Sequence, residues 1–118
     1  TEPFPVVGDE DRLSQVFTNV LGNAITYTDP GGAVSVAAEE RGGNTIVSIT
    51  DTGKGIDPDD LERVFDRFHR VDPHLPGGTG VGLTVARSLV RRHNGELTAE
   101  SDGLGTGSRF VVSIPSAP

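Results

Sequence analysis

Apolar residues recur at helical spacing across residues 9–28, where Leu13, Val16, Phe17, Val20, Leu21 and Ala24 fall on one face. Gly8-Asp9 opens that segment and Asp29-Pro30-Gly31-Gly32 stops it. The pattern then changes to alternation. Val34, Val36 and Ala38 share one side of a strand over 33–40, Arg41-Gly42-Gly43-Asn44 makes a hairpin turn, and a second strand runs over 45–51. In that strand Val47 and Ile49 are in phase with Asp51. Asp57-Pro58 starts a short helix carrying Leu61, Val64 and Phe65. Residues 69–80 have no period and hold Pro73, Pro76 and a run of glycines, the mark of a long functional or mobile loop.

A second long helix is predicted from about Val81 to His93, with Val85, Ala86, Leu89 and Val90 inward. Arg91, Arg92 and His93 suit its negative end, and Asn94-Gly95 closes it. Strands over 96–101 and 107–114 follow, joined by a glycine-rich turn, and the tail Pro115-Ser116-Ala117-Pro118 is expected to fray. The order strand, helix, strand pair, short helix, loop, helix, strand pair predicts an α+β fold with one sheet covered on one face by helices.

Composition narrows the classes. With 118 residues the chain makes one domain, and 34% hydrophobic residues beside 16 glycines fits a folded core with long loops. No apolar run reaches bilayer length and no signal peptide is evident, so a membrane-anchored parent would carry its spans elsewhere. The absence of cysteine excludes disulfides and thiolate metal sites. A net charge of −7 argues against a nucleic-acid surface. An acidic protein that binds an anion must use backbone N–H groups, a metal ion or a few gathered cations.

Three segments offer such chemistry. Gln15, Asn19 and Asn23 lie four apart and Tyr27 continues their line, giving a polar stripe beside the apolar one. Neutral amide oxygens suit a partly hydrated Mg²⁺ shared with phosphates, although an ordinary exposed helix face would look the same. Asp51-Thr52-Gly53-Lys54-Gly55-Ile56 puts a carboxylate at a strand end, where burial demands a donor. The exocyclic amine of adenine is one donor, and an Asx-turn that caps its own loop is another. Gly77-Gly78-Thr79-Gly80-Val81-Gly82-Leu83 opens the second helix, and glycines before a helix N-terminus make an anion site. No strand precedes it and no Gly-Lys-Ser/Thr follows, which excludes a dinucleotide fingerprint and a Walker loop.

In order and spacing these pieces resemble the ATP-binding catalytic domain of two-component sensor histidine kinases, in the Bergerat-fold superfamily shared with gyrase, MutL and the heat-shock chaperone ATPase. Asp11 to Ala24 is similar to the family's asparagine box, Asp51 to Ile56 to its first glycine box, and Val64 to Arg70 to its phenylalanine box. Gly78 to Leu83 is similar to its second glycine box, and Gly105 to Ser108 to a last glycine turn. The resemblance implies a two-layer α/β sandwich with a mixed sheet, and ATP and Mg²⁺ as cofactors. It implies Asn23 as metal ligand, with Asn19 one turn before it, and Asp51 as adenine selector. Gly53, Gly55 and Ile56 would shape the base pocket with Tyr27. Residues 69–79 would form a lid, anchored by Phe65 and Phe68, in which Arg70 reaches the phosphates. Thr79, Gly80, Val81, Gly82 and Leu83 would line the phosphate side.

The implied reaction transfers the γ-phosphate of ATP to a histidine on a separate dimerisation domain of the same kinase, which then serves a response regulator. None of His69, His74 and His93 sits in an acceptor setting, so the chain is expected to be inactive alone; the isolated chain is also expected to be monomeric. The parent would be a homodimer, with this domain cytoplasmic and anchored to the inner membrane. Two departures stand out. Thr26 occupies a position where the family commonly has Lys or Arg, and His74-Leu75 replaces a second Arg of some relatives. Water-activating ATPases of the superfamily place a Glu as general base where this chain has Asn19, which favours the kinase. A serine-directed kinase of the same fold and a nucleotide-binding module without catalysis are the remaining alternatives.

Overall fold

The computed structural model describes residues 10–26, 28, 30–53, 55–56, 59, 61–65, 82–103 and 105–116. The expected first strand, the Asp57-Pro58 helix start, Phe68 and the 69–80 loop lie outside them. Helix α1 spans Glu10–Thr26 and α2 spans Gly82–Arg92, while the strands are β1 (Val34–Arg41), β2 (Asn44–Asp51), β3 (Glu96–Glu100) and β4 (Ser108–Pro115). Within the segment of the expected short helix, the described residues hold a 3-10 turn at Arg63–Phe65. Strand order is β1-β2-β4-β3, and each of these pairs is antiparallel. A mixed sheet is therefore not seen among the described strands. No described helix is long and apolar enough to cross a membrane.

The helical periodicity of α1 holds. Val16, Val20 and Ala24 are fully buried, with Leu13, Phe17 and Leu21 packed beside them. In α2 the buried residues are Leu83, Ala86, Leu89 and Val90. Val85, expected inward, stands on the flank of that stripe and is exposed. The buried set Leu83, Ala86 and Val90 keeps the i, i+3, i+7 spacing of a single face, which Val85 does not share. Ile49, Leu97, Phe110, Val112 and Ile114 complete the core from the sheet. Each such side chain contributes about 1.5–3 kcal/mol of transfer free energy.

Register explains the edge. Val34, Val36 and Ala38 stand opposite Asp51, Ile49 and Val47, so they do share a face. Against the sheet, α1 packs mainly on β2 and α2 on β3 and β4, leaving Val36 on the edge strand 57% exposed. The hairpin turn uses Gly42 (φ 59°) and Gly43 (φ 83°), the two left-handed positions of a type I′ turn. The tail is better held than expected at its start. Pro115 pairs with Asn44, and Ser116 donates its N–H to Gly43 O at 2.9 Å while its hydroxyl meets that of Thr45. Helix α2 ends as its sequence predicts. Asn94 takes φ 63°, its N–H reaches Arg91 O at 3.1 Å, and Gly95 N–H reaches Val90 O at 3.0 Å, a Schellman cap.

Candidate functional site

Strand β2 brings Asp51 onto the core face behind Ile49, and only 4% of the residue is exposed. A carboxylate so buried must find donors. Its Oδ1 accepts from Gly53 N–H at 2.9 Å and from Ser108 N–H at 3.3 Å, and its Oδ2 accepts from Ser108 Oγ at 2.7 Å. The Asx-turn weighed from sequence is thus present, on Oδ1. A carboxylate offers about four lone-pair sites, so Oδ2 keeps room for one more donor. The turn and a bound amine do not compete for the same atom.

The glycines around Asp51 are placed by close backbone approach. Gly55 (φ 73°) lies against Gly103, where a Cβ would come within 2.1 Å of the carbonyl oxygen. Gly107 (φ 79°) lies against Asp51 in the same way, and its N–H donates to Gly53 O at 3.1 Å. The space that a side chain on Gly55 would need is filled by the backbone of Gly103 and Gly107. Ile56 is buried, with its N–H on Ser101 Oγ at 3.0 Å. Outside the strand, Thr52 closes the base of the hairpin by exchanging hydrogen bonds with Ala33 at 2.9 and 3.0 Å.

The polar stripe of α1 divides. Asn19 donates from Nδ2 to Gly82 O at 3.0 Å and accepts from Gln15 Nε2 at 2.7 Å. It joins α1 to the head of α2. Asn23, one turn further, is half-buried, and no hydrogen bond between described residues engages its amide. Gly82 begins α2, whose first N–H groups have no partner within the helix. Leu83 follows with its side chain in the core, leaving only its backbone for a ligand. Tyr27, Arg70, Thr79, Gly80 and Val81 lie outside the described residues, as does the side chain of Thr26. Among described residues no group of His, Asp and Glu is arranged to hold a metal.

Sequence reasoning missed three residues here. Ser108 opens the inward face of β4, opposite Asp51 in register, and that polar start to an apolar alternation was a readable signal. Ser101 had no signal of its own. Arg87 carries no signal in the spacing of α2, yet its side chain is only 16% exposed. Its guanidinium stands 4.4 Å from the centre of the Phe65 ring, bonds Glu62 at 3.0 Å and meets Glu96 at 3.3 Å. Phe65 in turn packs edge-on against Phe110 with ring centroids 6.3 Å apart, and its carbonyl accepts from Thr84 Oγ1 at 2.6 Å. The phenylalanine-box residue is thus pinned to α2 and to the core.

Burial alone would lower the Arg87 pKa, but its bonds to Glu62 and Glu96 outweigh that and raise it. Burial would raise the Glu96 pKa, and hydrogen bonds from Arg91, the Leu97 N–H and Arg87 hold it below the usual carboxylate range. A depressed carboxyl contributes stability above its unfolded pKa, about 4.3, and loses it as pH falls through the folded value. Glu96 is 45% exposed, so the contribution is under about 1 kcal/mol after solvent screening. Urea melts should show Glu96→Gln less stable than wild type at neutral pH, with the gap closing below about pH 4. A gap that does not change with pH would remove Glu96 from the acid response.

Residues 8–118 match the histidine kinase-, DNA gyrase B-, and HSP90-like ATPase family. The chain is 44% identical to the sensor-like histidine kinase SenX3 of Mycolicibacterium smegmatis, over 98% of its own length and 30% of that protein. It is 39% identical to the sensor protein SrrB of Staphylococcus aureus, over 91% of its length and 19% of that protein. It therefore spans less than a third of these curated relatives. Among solved structures it is similar to the mycobacterial sensor histidine kinase MprB, with TM-score 0.85 and 31% identity over 96% of this chain and 78% of that one. It is also similar to full-length ShkA in complex with AMPPNP, with TM-score 0.84 and 33% identity over 98% of this chain and 24% of that one. The catalytic domain of the histidine kinase ThkA superposes with TM-score 0.84 at 28% identity, over 100% of this chain and 76% of that one.

Proposed function

Because the chain belongs to the histidine kinase-, DNA gyrase B-, and HSP90-like ATPase family, we propose that it holds Mg·ATP and delivers the γ-phosphate to a histidine on a separate dimerisation domain. The observation that carries the nucleotide half is the buried Asp51, whose Oδ2 keeps an open acceptor position among glycine turns. Adenine's exocyclic amine fits that position. Similarity to a kinase solved with AMPPNP supports the same reading.

In this proposal Asp51 selects the base, Gly53 and Ile56 line it, and the head of α2 at Gly82 faces the phosphates. Asn23 is the amide that would hold Mg²⁺, which when bound supplies charge neutralisation between phosphates. Asn19 cannot act as a general base, being a neutral amide already bonded to Gly82 and Gln15. That disfavours direct activation of water. In the transfer, the acceptor imidazole forms the N–P bond and the γ-phosphorus parts from its bridging oxygen, which leaves with ADP. The acceptor's proton passes to a base outside this chain. His93 closes α2 at the end opposite Gly82, with its Nδ1 engaged with Leu89 O at 2.8 Å, so it stands away from the proposed phosphate side. The response regulator, the homodimeric parent and its anchoring at the inner membrane belong to the same proposal.

The chain alone should bind ATP without labelling itself or turning over at an enzyme-like rate. Mixed with Mg·ATP and candidate acceptor domains, it should yield acid-labile phosphohistidine on the acceptor. Steady ATP hydrolysis by the chain alone, unaffected by Asn23→Ala, would replace the kinase reading with an ATPase.

A further inference from the structure

Ser101 follows the last residue of β3 and is not one of the expected ligand-binding residues. Its hydroxyl nevertheless has every bonding site filled. It donates to Gly107 O at 2.7 Å, with Gly103 O a longer alternative at 3.2 Å, and it accepts from Ile56 N–H at 3.0 Å and Gly103 N–H at 3.2 Å. One proton and two lone pairs allow three such bonds. The partners come from two separate segments, the first glycine box and the β3–β4 connection that ends in the last glycine turn, with Ile56 lying 45 residues before Ser101.

These two segments otherwise meet backbone to backbone. Gly55 rests on Gly103 and Gly107 rests on Asp51, each too close for a side chain. Apposed glycines have no rotamers to lock and the most backbone freedom to lose. Gly107 N–H to Gly53 O is the one other described hydrogen bond joining the two segments apart from those at Asp51. Gly107 is followed by Ser108, whose N–H and hydroxyl aim the Asp51 carboxylate. A hydroxyl that fixes Gly107 therefore fixes Ser108, and Ser108 fixes the direction in which Oδ2 presents its open position.

We propose that Ser101 is a positioning residue for adenine recognition: its hydroxyl ties the first glycine box to the last glycine turn and so sets the aim of Asp51. This rests on the reading of the chain as a nucleotide-binding domain. Ser101 acts through Gly107 and Ile56, with no contact to the base.

The test compares wild type, Ser101→Ala and Ser101→Thr, titrating each with ATP and GTP and following thermal unfolding. Ser101→Ala should bind ATP about three- to tenfold more weakly, the size of one neutral hydrogen bond, and its preference for ATP over GTP should fall with it. Ser101→Thr keeps the hydroxyl and should restore both. With Asp51→Asn already in place, Ser101→Ala should have little further effect, because the two act on one contact. A role in stability alone would lower the melting temperature while leaving the base preference intact, and that result overturns the proposal. So does an Ala variant that no longer folds, or a Thr variant that does not rescue. A wild-type chain without affinity for ATP would overturn the nucleotide reading itself. A wild type that binds ATP beside an unchanged Ala variant would overturn only the role of Ser101.

Discussion

Asp51→Asn is expected to weaken ATP binding by about ten- to a hundredfold and to erode the preference for adenine over guanine. The hydrogen bonds already on the carboxylate make this more than the loss of a charge. Gly53 N–H and Ser108 N–H both point at Oδ1, and each needs an acceptor. An asparagine would therefore keep its oxygen there and place its NH₂ where Oδ2 now sits. Ser108 Oγ can reverse its role and accept from that group, so the internal bonds survive and the fold should tolerate the change. The open position, however, becomes a donor facing a donor. Adenine's amine would be repelled where guanine's carbonyl oxygen would be accepted. Calorimetry with ATP and GTP on both proteins, beside thermal melts, checks this. Unchanged ATP affinity and unchanged base preference in a folded variant would take Asp51 out of the base site. Asp51→Ala should differ by also destabilising the fold, since it strands two backbone N–H groups.

Local features of this fold are legible in the sequence and long-range ones are not, as particular residues show. The buried face of α1, the Asn94 cap of α2 and the glycine hairpin depend on neighbours within a turn or two, so spacing alone reveals them. Asp51 was legible as buried because Ile49 and Val47 set its phase. Val36 has the same phase and is exposed, because burial there depends on where the helices stop covering the sheet. Asn19 belonged to a stripe that spacing could find, yet the partner that defines its use is Gly82, 63 residues away. Arg87 shows the same limit, its surroundings being assembled from Glu62, Phe65 and Glu96. The glycines were legible as a class, but which of them touch other backbone, and which merely turn, is decided by the pairing of distant segments.

Gly105 and Gly107 turn that last distinction into a measurement. Both are left-handed, at φ 85° and 79°, two residues apart in one turn. A Cβ on Gly105 would meet nothing within 4 Å, whereas on Gly107 it would lie 2.1 Å from Asp51 O and 3.1 Å from Thr52 Cα. Gly105→Ala should therefore cost only the left-handed conformation, about 1–2 kcal/mol. Gly107→Ala adds an overlap with backbone, which no side chain can relieve by rotating. The start of β4 must then move away from the end of β2, and the total should reach about 3 kcal/mol or more. The same movement pulls Gly107 N–H from Gly53 O and Ser108 from the Asp51 carboxylate. ATP affinity should fall with Gly107→Ala even under conditions where the variant is folded, and should be nearly unchanged with Gly105→Ala. Urea unfolding and ATP titration of the two variants make the comparison. Equal destabilisation, or equal loss of ATP binding, would mean that the last glycine turn serves the chain reversal and not the aim of Asp51.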